Sequence, residues 1–209
     1  TATLSVATTA DVTVGISTSG TGTEGTDYST ISDITISAGS TTGTASFTPT
    51  DDSVYEGNET GIVAIATVSG GSATEDGTQS VTITITENES SPTITLTSSA
   101  SSITENAGSS LTLTATSSIV ADEDITVTIT TSGTGTEGTD YSTISDITIS
   151  AGDTTGTASF TPSDDSVYEG NETGIVAIDG VSGADAAESG SQSVTITITE
   201  NESAPTVTL

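Results

Sequence analysis

Apolar and polar residues alternate along several short stretches of the chain. The clearest are 81–85 (Val-Thr-Ile-Thr-Ile), 125–129 (Ile-Thr-Val-Thr-Ile) and 111–113 (Leu-Thr-Leu). A period of two places the aliphatic side chains on one face of a strand and the hydroxyls on the other. Clusters of Gly, Ser and Thr, such as 19–25, separate these stretches, and no stretch has helical periodicity. The pattern predicts antiparallel sheets with one buried and one hydrated face, which is typical of an all-β sandwich.

This pattern recurs after 113 residues. Residues 11–96 align without a gap with residues 124–209, and only 14 of these 86 positions differ, so that 72 are identical. Five of the 14 differences fall within 71–78 and its counterpart 184–191, which indicates a variable loop. A unit of this length is a domain in its own right rather than one turn of a solenoid. We therefore predict tandem, immunoglobulin-like β-sandwich modules.

The repeat divides the chain into three parts. We predict that residues 1–90 form a unit without its first strand, that 91–203 form a complete unit, and that 204–209 hold the first strand of a following unit. The closing segment 205–209 (Pro-Thr-Val-Thr-Leu) copies 92–96 (Pro-Thr-Ile-Thr-Leu). Either the chain is cut from a longer array, or the closing segment of one chain completes the open sandwich of another by strand donation, head to tail.

The composition excludes several classes of function. The chain has 29 Asp and Glu residues, no Lys, Arg or His, and a formal net charge of −29. Nucleic acids and anionic membrane surfaces are bound through cationic side chains, so neither is an expected partner. No apolar run approaches the length of a membrane span, so we expect no membrane insertion of this segment.

Catalysis is also poorly supported by the composition. Without His, Cys or Lys the chain lacks the usual general bases near neutral pH, the thiolate and the Schiff-base amine. Paired carboxylates can hydrolyse glycosides, but such sites usually offer aromatic surfaces, and this chain has four Tyr, two Phe and no Trp. We therefore expect no enzyme and no catalytic residues.

The acidic residues cluster at predicted strand ends and loops. In the complete unit they form four groups, at Glu105, at Asp140, within 164–172 and within 200–202. Like charges that are close together repel one another unless a cation lies between them. Oxygen ligands without His or Cys favour Ca²⁺ over zinc or copper. The sequence thus predicts calcium sites, and a solvated acidic loop is the ordinary alternative.

The spacing of these residues resembles that of the Calx-β domain. The step 138–141 (Gly-Thr-Asp-Tyr) is followed by a strand and then by Asp164-Asp165, Glu169 and Glu172, and the turn 105–108 (Glu-Asn-Ala-Gly) matches the family's Glu-Asn-x-Gly. The family occurs in sodium–calcium exchangers and in many microbial surface proteins. The resemblance covers both units and implies a β-sandwich with calcium bound in the loops at one end.

The resemblance also implies a set of calcium ligands for each unit. In the complete unit these are Glu105, Asp140, Asp164, Asp165, the Val167 carbonyl, Glu169, Glu172, Glu200, Asn201 and Glu202. In the first unit they are Asp27, Asp51, Asp52, the Val54 carbonyl, Glu56, Glu59, Glu87, Asn88 and Glu89. Two features depart from the family pattern: the closing Glu-Asn-Glu replaces a frequent Asp-Asp-Asp, and a Thr followed by Gly stands where an aromatic residue is usual after the last Glu of the central acidic run.

The leading hypothesis for function is a repetitive, calcium-binding stalk of an adhesin or filament at the cell surface or in the extracellular space. Because the run 87–89 directly precedes the next unit, calcium there would neutralise the junction and hold neighbouring repeats stiffly. A regulatory calcium sensor of a membrane protein is the second hypothesis, and an accessory module of a carbohydrate-active enzyme is the third. Near-identical repeats favour the stalk.

Overall fold

All regular structure in this chain is β. A computed structural model describes residues 1–209, and none of it is a helix of the length and apolarity that a membrane crossing needs. The strands are β1 (Ala2–Thr3), β2 (Val12–Gly20), β3 (Ile34–Ile36), β4 (Thr42–Gly43), β5 (Val54–Tyr55), β6 (Glu59–Ser69), β7 (Ser80–Ile85), β8 (Thr93–Ser98), β9 (Ser102–Thr104), β10 (Leu111–Ser117), β11 (Val120–Ala121), β12 (Ile125–Gly133), β13 (Ile147–Ile149), β14 (Thr155–Phe160), β15 (Glu172–Ser182), β16 (Ala187–Glu188) and β17 (Ser193–Thr199).

The strands form two compact units that interleave along the chain. Unit 1 contains Thr1–Asp52 and Gly57–Asn88, and unit 2 contains Ser53–Glu56 and Glu89–Leu209. Four residues from the middle of the first repeat, which include β5, therefore belong to unit 2.

Unit 2 is a β-sandwich, as the sequence predicts. One sheet has the order β13-β12-β15-β17-β9 and the other the order β14-β10-β8-β16, while β5 and β11 form a separate parallel pair. The long strands pair antiparallel, and the short β9 and β16 add to β17 and β8 in parallel. Strand β14 alternates strictly between exposed and buried residues. The alternation turns the apolar side chains inward, because a strand has a side-chain period of two.

A stacked aromatic pair fills one region of the core of unit 2. The rings of Tyr141 and Phe160 lie 4.6 Å apart at an interplanar angle of 21°. A Cβ at Gly174 would lie 2.7 Å from the Phe160 ring. Unit 1 repeats the arrangement with Tyr28 and Phe47, at 4.5 Å. Gly174, and Gly61 at the same position of unit 1, are therefore required because a phenylalanine ring packs directly against their backbone.

Unit 1 has one full sheet and one short one. The sheet β3-β2-β6-β7 corresponds to β13-β12-β15-β17, but the second sheet consists only of β1 and β4. No strand of unit 1 occupies the position that β8 has in unit 2. Val81 on β7 is accordingly 62 % exposed, whereas its counterpart Val194 packs against the core of unit 2. The result is an open groove of about 860 Å³ in unit 1, whose lining includes Leu4, Val14, Ile34, Ile65, Val68 and Val81.

At one position of the strand pair β2–β6 and its counterpart β12–β15, a glycine faces a threonine in both repeats, but the strand that carries the glycine differs. In unit 1 Gly15 on β2 faces Thr67 on β6, and in unit 2 Thr128 on β12 faces Gly180 on β15. Each pair lies beside a register shift. A Cβ at Gly15 would lie 2.3 Å from the Thr67 hydroxyl oxygen. Each repeat thus has one glycine and one threonine at this position, although a Cβ at Gly180 would meet nothing within 4 Å in unit 2.

Candidate metal centre

The backbone of unit 2 brings the predicted ligands to one end of the sandwich. The ends of β9 and β17 lie side by side, with Thr104 paired with Thr199, so Glu105 and Glu200 follow neighbouring strands. The start of β15 at Glu172 pairs with Ile198 on β17. Asp140 comes from the turn after β12, where Thr136 N–H donates to its carboxylate at 2.6 Å.

Seven carboxylates form one continuous cluster at this end of the sandwich. Three overlapping groups each place their ligand oxygens within 4.8 Å of one another. Glu169 belongs to two of the groups, and Glu105 likewise belongs to two, so these residues link all three. The groups are Asp140–Glu169–Glu172, Glu105–Asp165–Glu169 and Glu105–Glu200–Glu202.

Glu200 differs from the other members because backbone amides hold its carboxylate. The N–H groups of Glu169 and Gly170 donate to one oxygen, at 2.6 and 2.8 Å, and those of Asn201 and Glu202 donate to the other, both at 2.9 Å. These donors, Glu202 N–H first, lower the pKa of Glu200 to about 2. Glu200 therefore fixes the loop 169–170 against the end of β17 and remains charged.

The other glutamates of the cluster have raised pKa values, in contrast to the lowered pKa of Glu200. Burial, and then the nearby charge of Glu200, raises the pKa of Glu105 to about 7, and the Glu105 side chain is only 8 % exposed. Burial followed by the charge of Asp140 likewise raises the pKa of Glu169 and of Glu172. Burial first and the neighbouring negative charges second thus disfavour the charged form of these three carboxyls.

The cluster fits a hard cation. All of its donors are carboxylate oxygens, which is the ligand chemistry that Ca²⁺ prefers. One oxygen of Glu202 is buried without a hydrogen-bond partner, and its hydrogen-bonded neighbour Glu200 raises the pKa of the Glu202 carboxyl. A buried carboxylate oxygen is costly unless a donor or a metal satisfies it. A cation at this position would satisfy the oxygen and compensate the repulsion within the cluster.

Three predicted ligands of the complete repeat lie outside these groups. Asp164 is exposed, although its charge contributes to the raised pKa of Glu202. Asn201 donates its side-chain amide to Glu202 at 2.9 Å. Val167 is 56 % exposed, and its N–H donates to Asp165 at 2.6 Å. The assignment of these three as ligands stays a prediction.

The predicted ligands of the first repeat are divided between the units. Asp27, Asp51, Asp52, Glu59, Glu87 and Asn88 belong to unit 1, while Val54, Glu56 and Glu89 belong to unit 2. Within unit 1, Asp27 is 8 % exposed and accepts a hydrogen bond from Thr23 N–H at 2.5 Å. Glu87 accepts Gly57 N–H at 2.8 Å, as Glu200 accepts Gly170 N–H in unit 2. Unit 1 thus reproduces the loop-fixing role of the first Glu in the closing acidic run.

A further glutamate has a structural role that the sequence does not indicate. Glu137 accepts the Thr131 hydroxyl at 2.7 Å and Ile144 N–H at 2.6 Å. Glu24 makes the same two contacts in unit 1, and the Ile31 amide, followed by the Thr18 hydroxyl, lowers its pKa. These carboxylates brace the turn that carries Asp27 or Asp140. Only the identical spacing of the repeats could have suggested a shared role.

Comparison with known proteins identifies the pattern. The family model of the Calx-beta domain matches residues 2–89 and 87–202. Among solved structures, a crystal structure of the apo-form Calx CBD1 domain is 18 % identical and covers 53 % of this chain and 99 % of its own, with a TM-score of 0.44. A crystal structure of CBD12 from CALX1.2 is 15 % identical over 94 % of this chain and 90 % of its own, with a TM-score of 0.41. No curated protein sequence matches the chain.

Proposed function

The chain belongs to the Calx-beta domain family, and on this premise we propose that it is a calcium-binding structural part of an extracellular stalk or filament of a surface adhesin. The observation that carries the proposal is the cluster of seven carboxylates at one end of unit 2. No cationic side chain is present to balance it. The proposed role is mechanical rather than catalytic.

The residues of unit 2 divide into ligands and supports. The candidate ligands are Glu169; Asp140 and Glu172, which lie close to Glu169; Asp165 and Glu105, which also lie close to Glu169; and Glu202, which lies close to Glu105. Glu200 accepts hydrogen bonds from four backbone amides, so its main role is to fix the loop 169–170 rather than to bind the ion. Calcium held by this set would supply the positive charge, and the carboxylates would supply the oxygen ligands.

The proposed stiffening depends on where the acidic residues lie along the chain. Glu89, a predicted ligand, stands four residues before the start of β8, the first strand of the complete repeat. Without calcium, the charge of −29 makes neighbouring segments repel. Calcium at this junction removes the repulsion and orders the segment between consecutive repeats.

Small-angle X-ray scattering of the whole chain, coupled to size exclusion, tests the stiffening. We expect a broad distribution of dimensions in chelator and a narrower one in millimolar calcium, since extracellular modules bind calcium at roughly 10⁻⁴–10⁻³ M. Glu89→Gln should raise the calcium concentration needed for the change. Asp153→Ser should not, because exposed Asp153 has Ser40 as its counterpart in the first repeat. Identical scattering with and without calcium, from chains folded in both conditions, would exclude the stiffening role.

The open groove of unit 1 favours a second property, self-assembly by strand donation. In unit 2 the strand β8 fills the corresponding position and buries Ile94 (0 % exposed) and Leu96 (4 %). The segment 205–209 carries Val207 and Leu209 at the same spacing, both fully open to solvent. We propose that this segment of one chain enters the groove of a second copy, in a head-to-tail association that extends into filaments.

Sedimentation of the 1–209 chain at increasing concentration, with calcium present, tests strand donation. We expect association that disappears in the variant carrying Val207→Asp and Leu209→Asp. A matched control with Thr206→Ser and Thr208→Ser changes the opposite face of the segment and should still associate, because side chains alternate between faces. A chain that stays monomeric at every concentration would rule out donation.

A further inference from the structure

Unit 2 incorporates a two-residue segment of the preceding repeat. Strand β5 pairs in parallel with β11, so that Val54 lies beside Val120 and Tyr55 beside Ala121. Asp122 N–H donates to the Tyr55 carbonyl at 3.2 Å and extends the pairing. The Tyr55 side chain is 6 % exposed and belongs to the hydrophobic core of unit 2.

The buried tyrosine hydroxyl is satisfied by two side chains of the complete repeat. Tyr55 O–H donates to the Asp185 carboxylate at 3.0 Å and accepts the Ser91 hydroxyl at 3.3 Å. Ala184 and Asp185 have φ of 50° and 49°, in the left-handed region that is uncommon for residues other than Gly, Asn and Asp. Ala184 is 7 % exposed, and its N–H donates to Glu123 at 3.2 Å. Packing and this hydrogen bond thus hold Asp185 where it meets the hydroxyl.

The second copy of the same segment is exposed. Residues 51–60 and 164–173 are identical in sequence. Yet Val167 is 56 % exposed and Tyr168 is 45 % exposed, and neither lies in a strand. The difference therefore comes from the surroundings, since Val54 and Tyr55 have a folded repeat beside them.

We propose that Val167 and Tyr168 form a docking segment for a further copy of the complete repeat, which receives them as unit 2 receives Val54 and Tyr55. The partner must offer an extended edge equivalent to Val120–Ala121 and an acceptor for the tyrosine hydroxyl. Residues 204–209 repeat the start of the complete repeat with only two changes, Ser91 to Ala204 and Ile94 to Val207. The proposal requires only that such repeats follow one another, and it does not depend on calcium.

The receiving residues vary between repeats although the docking segment does not. Asp185 has Ser72 as its counterpart, Glu123 has Ala10, and Ser91 has Ala204. The loop 184–191, which carries five of the 14 differences, thus includes the acceptor of the tyrosine hydroxyl. The tyrosine is thus the same in both repeats, whereas the positions of its hydrogen-bond partners differ between them. We infer that this loop sets how tightly each repeat holds the one before it.

Tyrosine nitration by tetranitromethane, read residue by residue by mass spectrometry, tests the docking. In the 1–209 chain we expect Tyr168 to react and Tyr55 to be protected. The second protein continues residue 209 with a copy of 97–203 in which the copy of Tyr168 is replaced with Phe, so that 204–209 becomes the first strand of an added repeat and the nitrated peptide reports Tyr168 itself. In it, the reactivity of Tyr168 should fall to that of Tyr55.

The added repeat carries its own controls. Its copy of Tyr141, which is 1 % exposed in unit 2, reports that the repeat has folded if it stays protected. Replacing its copy of Asp185 with Ser should return part of the reactivity of Tyr168. If Tyr168 reacts equally in both proteins while the added repeat is folded, the docking proposal is wrong. If the Asp→Ser change leaves the reactivity of Tyr168 unaltered, the role proposed for the loop is wrong. Neither outcome bears on calcium binding, which scattering tests separately.

Discussion

Removal of calcium with a chelator is expected to lower the thermal unfolding midpoint of unit 2 by about 10 °C at neutral pH. A ligand that binds only the folded state contributes about 2.7 kcal/mol at a hundredfold excess over its Kd. The seven carboxylates that calcium would bridge are brought together only by folding. Differential scanning calorimetry in chelator and in millimolar calcium measures the shift, and magnesium at equal concentration controls for ionic strength.

The shift should depend on pH in a direction that follows from the pKa values. Without calcium, Glu105 has a pKa of about 7 in the folded chain against an ordinary value of 4.5. A raised pKa means that the folded state binds more protons between these values, so this contribution is present below pH 4.5 and is lost as the pH rises through 7. Glu200, with a pKa of about 2, acts oppositely, and its contribution is lost only as the pH falls through 2.

In chelator, the midpoint should therefore rise when the pH is lowered from 7.5 to 5.5. The increase in the unfolding midpoint that calcium produces should be larger at pH 7.5 than at pH 5.5, because protons and calcium compete for the same oxygens. An unfolding midpoint that is the same in chelator and in calcium at both pH values would refute the assignment of this cluster as a calcium site.

The variant Glu169→Gln is expected to weaken calcium binding by unit 2 more than about tenfold, because it removes an anionic oxygen from the residue shared by two of the three groups. Asp165→Asn should have a smaller effect, since it touches one group. The effect of Asp164→Asn on calcium affinity should be smaller still, because Asp164 lies outside the groups. Isothermal titration calorimetry on the whole chain gives the affinities.

Asp153→Ser is the matched control for lost charge. Asp153 is exposed, and its N–H donates to Ser150 at 2.9 Å, a contact that Ser40 makes to Ser37 in unit 1. Serine is therefore compatible with this backbone. Equal weakening in all four variants would mean that calorimetry reports the total charge of the chain rather than a defined site.

The alternation of Thr with aliphatic residues was sufficient to predict the sandwich. The stretches at 81–85 and 125–129 lie within β7 and β12, and 111–113 begins β10. Period-two patterns predict strands reliably when one face is buried, because a shift by one residue would expose the whole apolar face. The family resemblance was confirmed over both repeats.

The location of the segment 53–56 could not be predicted from the sequence. Identical residues form strand β5 in one repeat and lie exposed in the other. Local sequence cannot distinguish two copies whose surroundings differ. The assignment of these residues to unit 2 depends on tertiary contacts with β11 and Asp185.

The sequence located the acidic cluster but not the distinct roles within it. The family spacing indicated the four loops, and the structure brings seven of the predicted carboxylates together. That Glu200 is held by four backbone amides depends on the paths of two loops, and spacing does not reveal them. Likewise, Glu137 braces a turn through contacts six and seven residues away.

The exchange of Gly15–Thr67 for Thr128–Gly180 makes the structural cost of recombination between the repeats depend on the breakpoint. Near-identical repeats are substrates for unequal crossing-over, which lengthens or shortens an array. A breakpoint between the codons of positions 15 and 67 joins the start of one repeat to the end of the other. The product carries either two threonines, of which the one at position 67 must turn its hydroxyl away from a Cβ at position 15, or two glycines, which weaken a strand pair. Breakpoints outside this interval keep the glycine–threonine pair, so the repeats that they produce need neither adjustment.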